Sequence, residues 1–197
     1  MKLLLASENQ GKLREMRALL PPEIEIILSS ELGFTLKNDE TGTTFEENAR
    51  IKAKNACLLS GLPSVADDSG LCVDALGGAP GVRSRRFGSE ELSDTQRCEL
   101  LLKTLGDMEH RSAKFVSAIV CHFPNGDEIT ASGECRGEIT LEKCGESGFG
   151  YDPIFYVPGY GRTMAEITPE EKNTISHRGT AMRIFTEKLE SYIEENK

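Results

Sequence analysis

The sequence has no tryptophan, no excess of basic residues, no long apolar run and no C-x-x-C pair. Each absence removes a class of function. The formal net charge is −9. Wrapping duplex DNA needs clustered Lys and Arg to neutralise phosphates, so no nucleic-acid partner is expected. A small anionic ligand stays compatible, because a few basic groups and a divalent cation reverse the sign locally. No run of about 18 apolar residues is present, which argues against a membrane-spanning helix, and Met1–Leu5 is too short for a secretory signal. The six cysteines, Cys57, Cys72, Cys98, Cys121, Cys135 and Cys144, read as reduced, mostly structural thiols in a cytoplasmic protein. Repeats, low-complexity tracts and linkers are missing too. The length suits one domain, 1–197, with two lobes. A chain of this size buries about 70% of its unfolded surface and needs no staples.

Among what is present, Ala66-Asp67-Asp68-Ser69-Gly70 stands out. Two adjacent acids close the apolar run Leu62–Ala66, and Gly70 allows a bend straight after them. Neighbouring side chains on a strand face opposite ways, so the two acids cannot both decorate one solvated face. At least one is expected to point into the fold or a cleft, where a carboxylate needs a cation, a donor or a metal. An Asp-rich turn is the plainer explanation of this stretch taken alone.

The rest of the chain reads as α/β. Lys2–Ala6 suits a buried strand. Ser7–Gly11 is a polar turn, and a helix is expected from Lys12, carrying Leu13, Met16, Leu19 and Leu20 until Pro21-Pro22. Ile24, Ile26 and Leu28 alternate like a second strand. Thr44-Phe45-Glu46-Glu47 is a capping box, followed by a helical stripe of Phe45, Ala49, Ala53, Ala56 and Leu59 up to Gly61. Ser93–Gln96 is another box, with Cys98, Leu101, Leu102 and Leu105 behind it and Gly106 as the C-terminal cap. Lys114–Phe123 and Glu128–Ile139 are β-prone and flank the turn Pro124–Asp127, which predicts an antiparallel hairpin. Met182, Phe185, Leu189 and Ile193 mark a final amphipathic helix.

Four further motifs carry possible chemistry. In Ser7-Glu8-Asn9-Gln10-Gly11-Lys12 a strand ends, a glycine loop follows and a helix begins, an arrangement that attracts phosphate. It lacks Walker A spacing, and an ordinary turn capped by Asn9 explains it as well. Among the acids Asp39, Glu40, Glu46 and Glu47, Glu40 could join Asp68 around a hard cation, since Mg²⁺ takes one or two carboxylates together with waters and phosphates. In Gly148-Phe149-Gly150-Tyr151-Asp152-Pro153 an aromatic between glycines could close over a flat base, and Asp152 could accept a hydrogen bond from it. A glycine-rich turn with Phe149 in the core is the commoner outcome. Thr168–Glu171 starts a short helix that presents Lys172. Ser176 then reads as the cap of the last helix, which puts His177 and Arg178 in its first turn, against the preference for acids there. Such cations suit an anionic or carbonyl-bearing ligand.

In order and spacing these motifs resemble the inosine triphosphate pyrophosphatase family. The carriers are Ser7–Lys12, Glu40-Thr41-Gly42 with Thr44–Ala49, Ala66–Gly70, Gly77–Gly81, Gly148–Pro153 and Ser176-His177-Arg178, within Lys2 to about Leu189. The resemblance implies an elongated mixed β-sheet fold with flanking helices, two lobes around a central nucleotide-binding cleft, and a homodimer. It implies Mg²⁺-dependent hydrolysis of non-standard purine nucleoside triphosphates (ITP, dITP, XTP) to the monophosphate and pyrophosphate, which cleanses the nucleotide pool. By the matching motifs Asp68 is the catalytic base and a metal ligand. Glu40 assists the metal, with Asp67 as a further candidate. Ser7, Glu8, Asn9, Gln10, Gly11, Lys12, Ser69, Phe149, Gly150, Tyr151, Asp152, Lys172, His177 and Arg178 bind substrate. Arg85 and Glu146-Ser147 depart from the small residues frequent in the family. Rival readings are a pyrophosphatase of the septum-formation-inhibitor type, a silent nucleotide-binding protein, and a general phosphatase.

Overall fold

The protein is described by a computed structural model covering residues 1–7, 9–36 and 40–196. The expectation placed on Glu8 lies outside the described residues, as does Asp39. β1 (Lys2–Leu5) is the expected apolar run, and Leu3, Leu4 and Leu5 are fully buried. Asn9 caps α1 (Gln10–Leu19), its Oδ1 accepting from the Gly11 and Lys12 amides at 2.8 and 3.1 Å. The helix starts at Gln10 rather than at Lys12, because the Asn9 side chain and not Gly11 sets the first turn. β2 (Glu25–Leu28) runs parallel to β1, with Leu3 opposite Ile26.

α2 (Phe45–Ser60) is framed by the Thr44–Glu47 box and by Gly61 in the left-handed region. β3 (Ser64–Val73) is parallel to β1, with Leu5 opposite Val65. The bend expected at Gly70 does not occur, and the strand continues to Val73. Its two acids are satisfied inside the fold, and the buried Leu71 and Val73 carry the strand onward into a second core. α3 (Asp94–Leu105) opens on the Ser93–Gln96 box and stops at Gly106. β4 (Ser112–His122) and β5 (Glu128–Ile139) form the expected hairpin. The Phe123 amide donates to the Asp127 carbonyl at 3.0 Å across the turn. Two short strands, β6 (Phe155–Val157) and β7 (Arg162–Thr163), precede α4 (Pro169–Ile175) and α5 (His177–Glu195). Among the described residues the sheet has seven strands in the order β2-β1-β3-β4-β5-β6-β7.

The chain divides into two compact units. The first contains Met1–Asp68, Ser117–Gly133 and Arg178–Lys197. Its strands are buried on both faces, and successive residues alternate between two apolar layers. Leu3, Leu5 and Val65 pack with Leu13 and Met16 of α1 and with Met182, Phe185 and Leu189 of α5. Leu4, Ala6 and Ala66 pack with Ala49, Ala53 and Ala56 of α2. Leu59, expected in that stripe, is 68% exposed beside Leu58 at 71%. At 3.6 residues per turn Leu59 lies about 80° round the helix from Ala49. The second unit contains Ser69–Val116 and Glu134–His177. One core joins Leu71 and Val73 to Cys98, Leu101 and Leu105 of α3 and to Phe115, Ile154 and Phe155. Arg111 ties the end of α3 to the end of β5, donating to the carbonyls of Gly106, Ile139 and Thr140 at 2.8–3.0 Å. Among the described residues no helix is long and apolar enough to cross a membrane.

The fully buried Phe185 fixes α5 on the first unit's sheet. Phe185→Ala should cost about 3–5 kcal/mol, read as a lower midpoint in urea unfolding. A loss under about 1 kcal/mol would contradict this packing.

Candidate active site

Asp67 and Asp68 sit on β3 with 1% and 6% of their surface exposed. Strand alternation sends them to different layers of the first unit. Asp67 follows Val65 to the side of α1 and α5. There its carboxylate accepts from Ser117 Oγ at 2.8 Å and Arg178 Nε at 2.8 Å, and lies 3.3 Å from Lys12 Nζ. Asp68 follows Ala66 to the side of α2. It accepts from Lys52 Nζ at 2.6 Å and Asn48 Nδ2 at 3.3 Å. Lys52 also donates to Glu40 at 3.2 Å, so Glu40 and Asp68 share one ammonium. Both lysines reach the Asp67 carbonyl, Lys12 at 2.9 Å and Lys52 at 3.3 Å. Arg178 pairs a second time with Glu15 of α1.

The electrostatics follow from burial and partners. Burial opposes the charged form of Asp67, but Lys12, Arg178 and Ser117 outweigh it and hold the carboxyl far below the usual carboxylate range. Burial lifts Asp68 above that range, with Lys52 as the main opposing influence. Lys52 is buried too, yet Asp68 and Glu40 keep its ammonium above the ordinary lysine value. Lys12 is pulled down, first by burial and then by the neighbouring Lys52 and Arg178, against the pull of Asp67.

Among the described residues no group of three or more His, Cys, Asp or Glu side chains is placed to hold a metal ion. Mg²⁺ asks less of the protein: one or two carboxylates, with waters and substrate phosphates completing the shell. Glu40 and Asp68 fit that demand. They are hard oxygen donors from separate segments, already converged on a single positive charge, the Lys52 ammonium. The Asp67 carboxylate, held by Ser117, Arg178 and Lys12, is placed to orient cations.

Other residues read from the sequence fall as follows. Ser7 Oγ accepts from the Asn9 amide at 3.2 Å, and Gln10 is exposed. The Gly11 and Lys12 amides are engaged by Asn9, so the strongest anion attractor of this turn is the Lys12 ammonium. Ser69 follows Asp68 on β3, half-buried.

In the second unit, Gly148, Phe149 and Gly150 form a tight turn closed by Asp152, whose Oδ2 accepts from the Phe149 amide at 2.9 Å. A side chain at Gly148, whose φ is +79°, would collide with that carboxylate. Lys172 of α4 donates to Asp152 Oδ2 at 2.7 Å, and its ammonium lies 4.8 Å from the Phe149 ring centroid. Tyr151 points into the core and donates to the Ser84 carbonyl at 2.9 Å. His177 is buried and stacks on Phe115, ring centroids 4.7 Å apart.

Sequence reasoning missed Lys52, Asn48 and Ser117. Asn48 and Lys52 are spaced i, i+4 beside the alanine stripe of α2, a pattern that places two polar side chains on a buried face. That spacing was the available signal. Ser117 offered none beyond its place in a β-prone run.

The sequence profile described as the Ham1 family matches residues 3–188. A dITP/XTP pyrophosphatase of Pectobacterium atrosepticum is 47% identical over 193 residues, covering 95% of this chain and 98% of that protein. A solved HAM1 protein of Coxiella burnetii superposes with a TM-score of 0.90 at 44% identity, covering 97% of this chain and 99% of the other. The Ham1 protein of Staphylococcus aureus gives 0.88 at 41% identity, covering both chains completely.

The charge cluster makes a stability prediction. Asp67→Ala removes the carboxylate shared by Lys12 and the buried Arg178 and should cost about 3–5 kcal/mol in urea unfolding. Gln10→Ala, on an exposed side chain, should stay within about 0.5 kcal/mol. Equal stability of the two variants would contradict the cluster as described.

Proposed function

The chain belongs to the Ham1 family, and on that premise we propose that it hydrolyses non-standard purine nucleoside triphosphates, dITP, ITP and XTP, to the monophosphate and pyrophosphate. Its curated relatives carry the name dITP/XTP pyrophosphatase. One observation carries the reading at residue level: Glu40 and Asp68 converge on Lys52 while Lys12 and Arg178 gather on Asp67 in the same unit. A triphosphate needs such a mixture. Cations receive its charge, carboxylates hold a metal, and one carboxylate accepts a proton.

We assign the phosphate end of the substrate to the first unit's residues. Lys12 and Lys52 are the cations we assign to phosphate oxygens, with Ser7, Asn9, Gln10 and Gly11 leading into Lys12; Glu8 and Ser69 are assigned to substrate on the family resemblance. Glu40 and Asp68 would hold Mg²⁺. Bound there, the ion would supply charge stabilisation on the phosphoryl group under attack. Asp68 takes the proton of the water that attacks the α-phosphorus. A base of this kind contributes about 10²–10⁴-fold. Asp67 stays ionised, fixing Lys12 and Arg178.

The base is assigned to the second unit's turn. Phe149 stacks on the purine, an interaction worth about 1–3 kcal/mol. Gly150, Tyr151 and Asp152 shape that turn, and Lys172 orders Asp152 against the ring. Hypoxanthine and xanthine carry a carbonyl at C6 where adenine carries an amino group. A donor from His177, in the same unit, accepts the first and clashes with the second, a mismatch that can discriminate by about 10⁴–10⁵. The six free thiols are consistent with a reducing, cytoplasmic setting. Leu58 and Leu59, exposed side by side, offer apolar surface to a second copy in a homodimer, which sedimentation analysis checks.

A panel of nucleoside triphosphates with Mg²⁺ tests the reading directly. dITP, ITP and XTP should release pyrophosphate, and chelation should stop it. Orthophosphate release from assorted phosphomonoesters would point to a general phosphatase instead. Asp68→Asn should abolish turnover while nucleotide still binds by calorimetry. Full activity in that variant would remove Asp68 as the base. Phe149→Ala should raise KM for dITP about tenfold or more and change kcat little.

A further inference from the structure

α3 begins beside the Phe149 turn, within the second unit. Its first turn is already capped, with Ser93 Oγ accepting from the Gln96 amide and the Gln96 side chain accepting from the Ser93 amide. Asp94, the next residue, is not needed as a cap. Its carboxylate reaches away from its own helix instead: Oδ2 accepts from the Gly150 amide at 2.8 Å, and Oδ1 accepts from Arg97 Nη1 at 2.9 Å. Arg97 is fixed in turn, buried, with Nη2 donating to the Leu92 carbonyl at 2.6 Å. One turn further along, Cys98 Sγ donates to the Gly150 carbonyl at 3.3 Å. Burial pushes that thiol up to about 12, so it remains a protonated donor.

The consequence falls on Phe149. Its own amide is held by Asp152 and the amide after it by Asp94. The two peptide planes flanking its Cα are each tied to a carboxylate, and both dihedrals of the residue are thereby set. Gly150 completes the constraint with φ +63°, a conformation that favours glycine.

We propose that Asp94, held by Arg97, is a positioning residue that presents the Phe149 ring to the base. The proposal rests on the stacking role assigned to Phe149 above. Asp94 touches no part of the substrate and acts through the peptide between Phe149 and Gly150.

The test is steady-state kinetics on dITP with Mg²⁺ for Asp94→Ala, Phe149→Ala and the double variant, with thermal melting alongside. Losing a charged acceptor should raise KM about tenfold, with kcat moving less than about threefold. In the Phe149→Ala background the same change should add nothing to KM, because the ring it positions is gone. A purely structural role would multiply the two losses instead. Melting should fall somewhat, since the buried Arg97 loses its carboxylate while Ser93 keeps the cap, so the KM comparison between the single and double variants carries the test. Asp94→Ser gives the same comparison if the alanine variant does not fold. An unchanged KM in Asp94→Ala, a loss confined to kcat, or multiplicative losses would overturn the positioning role. If KM moves in Phe149→Ala but not in Asp94→Ala, only this proposal fails. If it moves in neither, the stacking assignment fails and this proposal with it.

Discussion

The period of two along a β-strand governs the first unit. It sends Val65 and Asp67 to one side of the sheet and Ala66 and Asp68 to the other. Two adjacent carboxylates thus occupy different surroundings only one residue apart. Asp67 meets an arginine, a lysine and a hydroxyl, and stays an anion. Asp68, slightly less buried, meets one lysine and an amide, which do not outweigh its burial, and it becomes the more basic group. A single dipeptide carries one carboxyl held as an anion and one made more basic. Moving the strand's register by one residue would turn each acid to the opposite side and take Val65 and Ala66 out of their layers.

The amphipathic periods and capping boxes were legible because they depend on neighbours in sequence. Thr44, Ser93 and Thr168 each cap the helix expected after them. The hairpin was legible from its turn. Alternation indicated that at least one of Asp67 and Asp68 points inward; that both are buried was not legible from it. The pair's partners were not legible either, because Ser117 and Arg178 arrive from distant segments. Lys52 escaped notice because a lysine in a helix is usually solvated, whereas here an acidic pocket makes its burial tolerable. Gly70 misled in the other direction. Glycine permits a bend without requiring one, and the apolar residues after it decided the path.

The two units solve the anchoring of their functional groups differently. In the first, charged side chains hold one another, so removing any partner leaves a buried charge uncompensated. In the second, Phe149 is held through its backbone, with the Lys172 ammonium over its ring. The former arrangement makes the cluster a stability element as well as a chemical one. The latter fixes the residue's backbone through two carboxylates.

Arg178 stands 111 residues beyond Asp67 in the chain. A polypeptide made from its N-terminus completes β3 long before the guanidinium that neutralises it exists. Until the last helix emerges, the nascent sheet carries an acid compensated only by Lys12 and Ser117. A truncated product lacking that helix would be left with a conspicuous electrostatic defect at the centre of its sheet, and quality-control proteases would find it poorly closed.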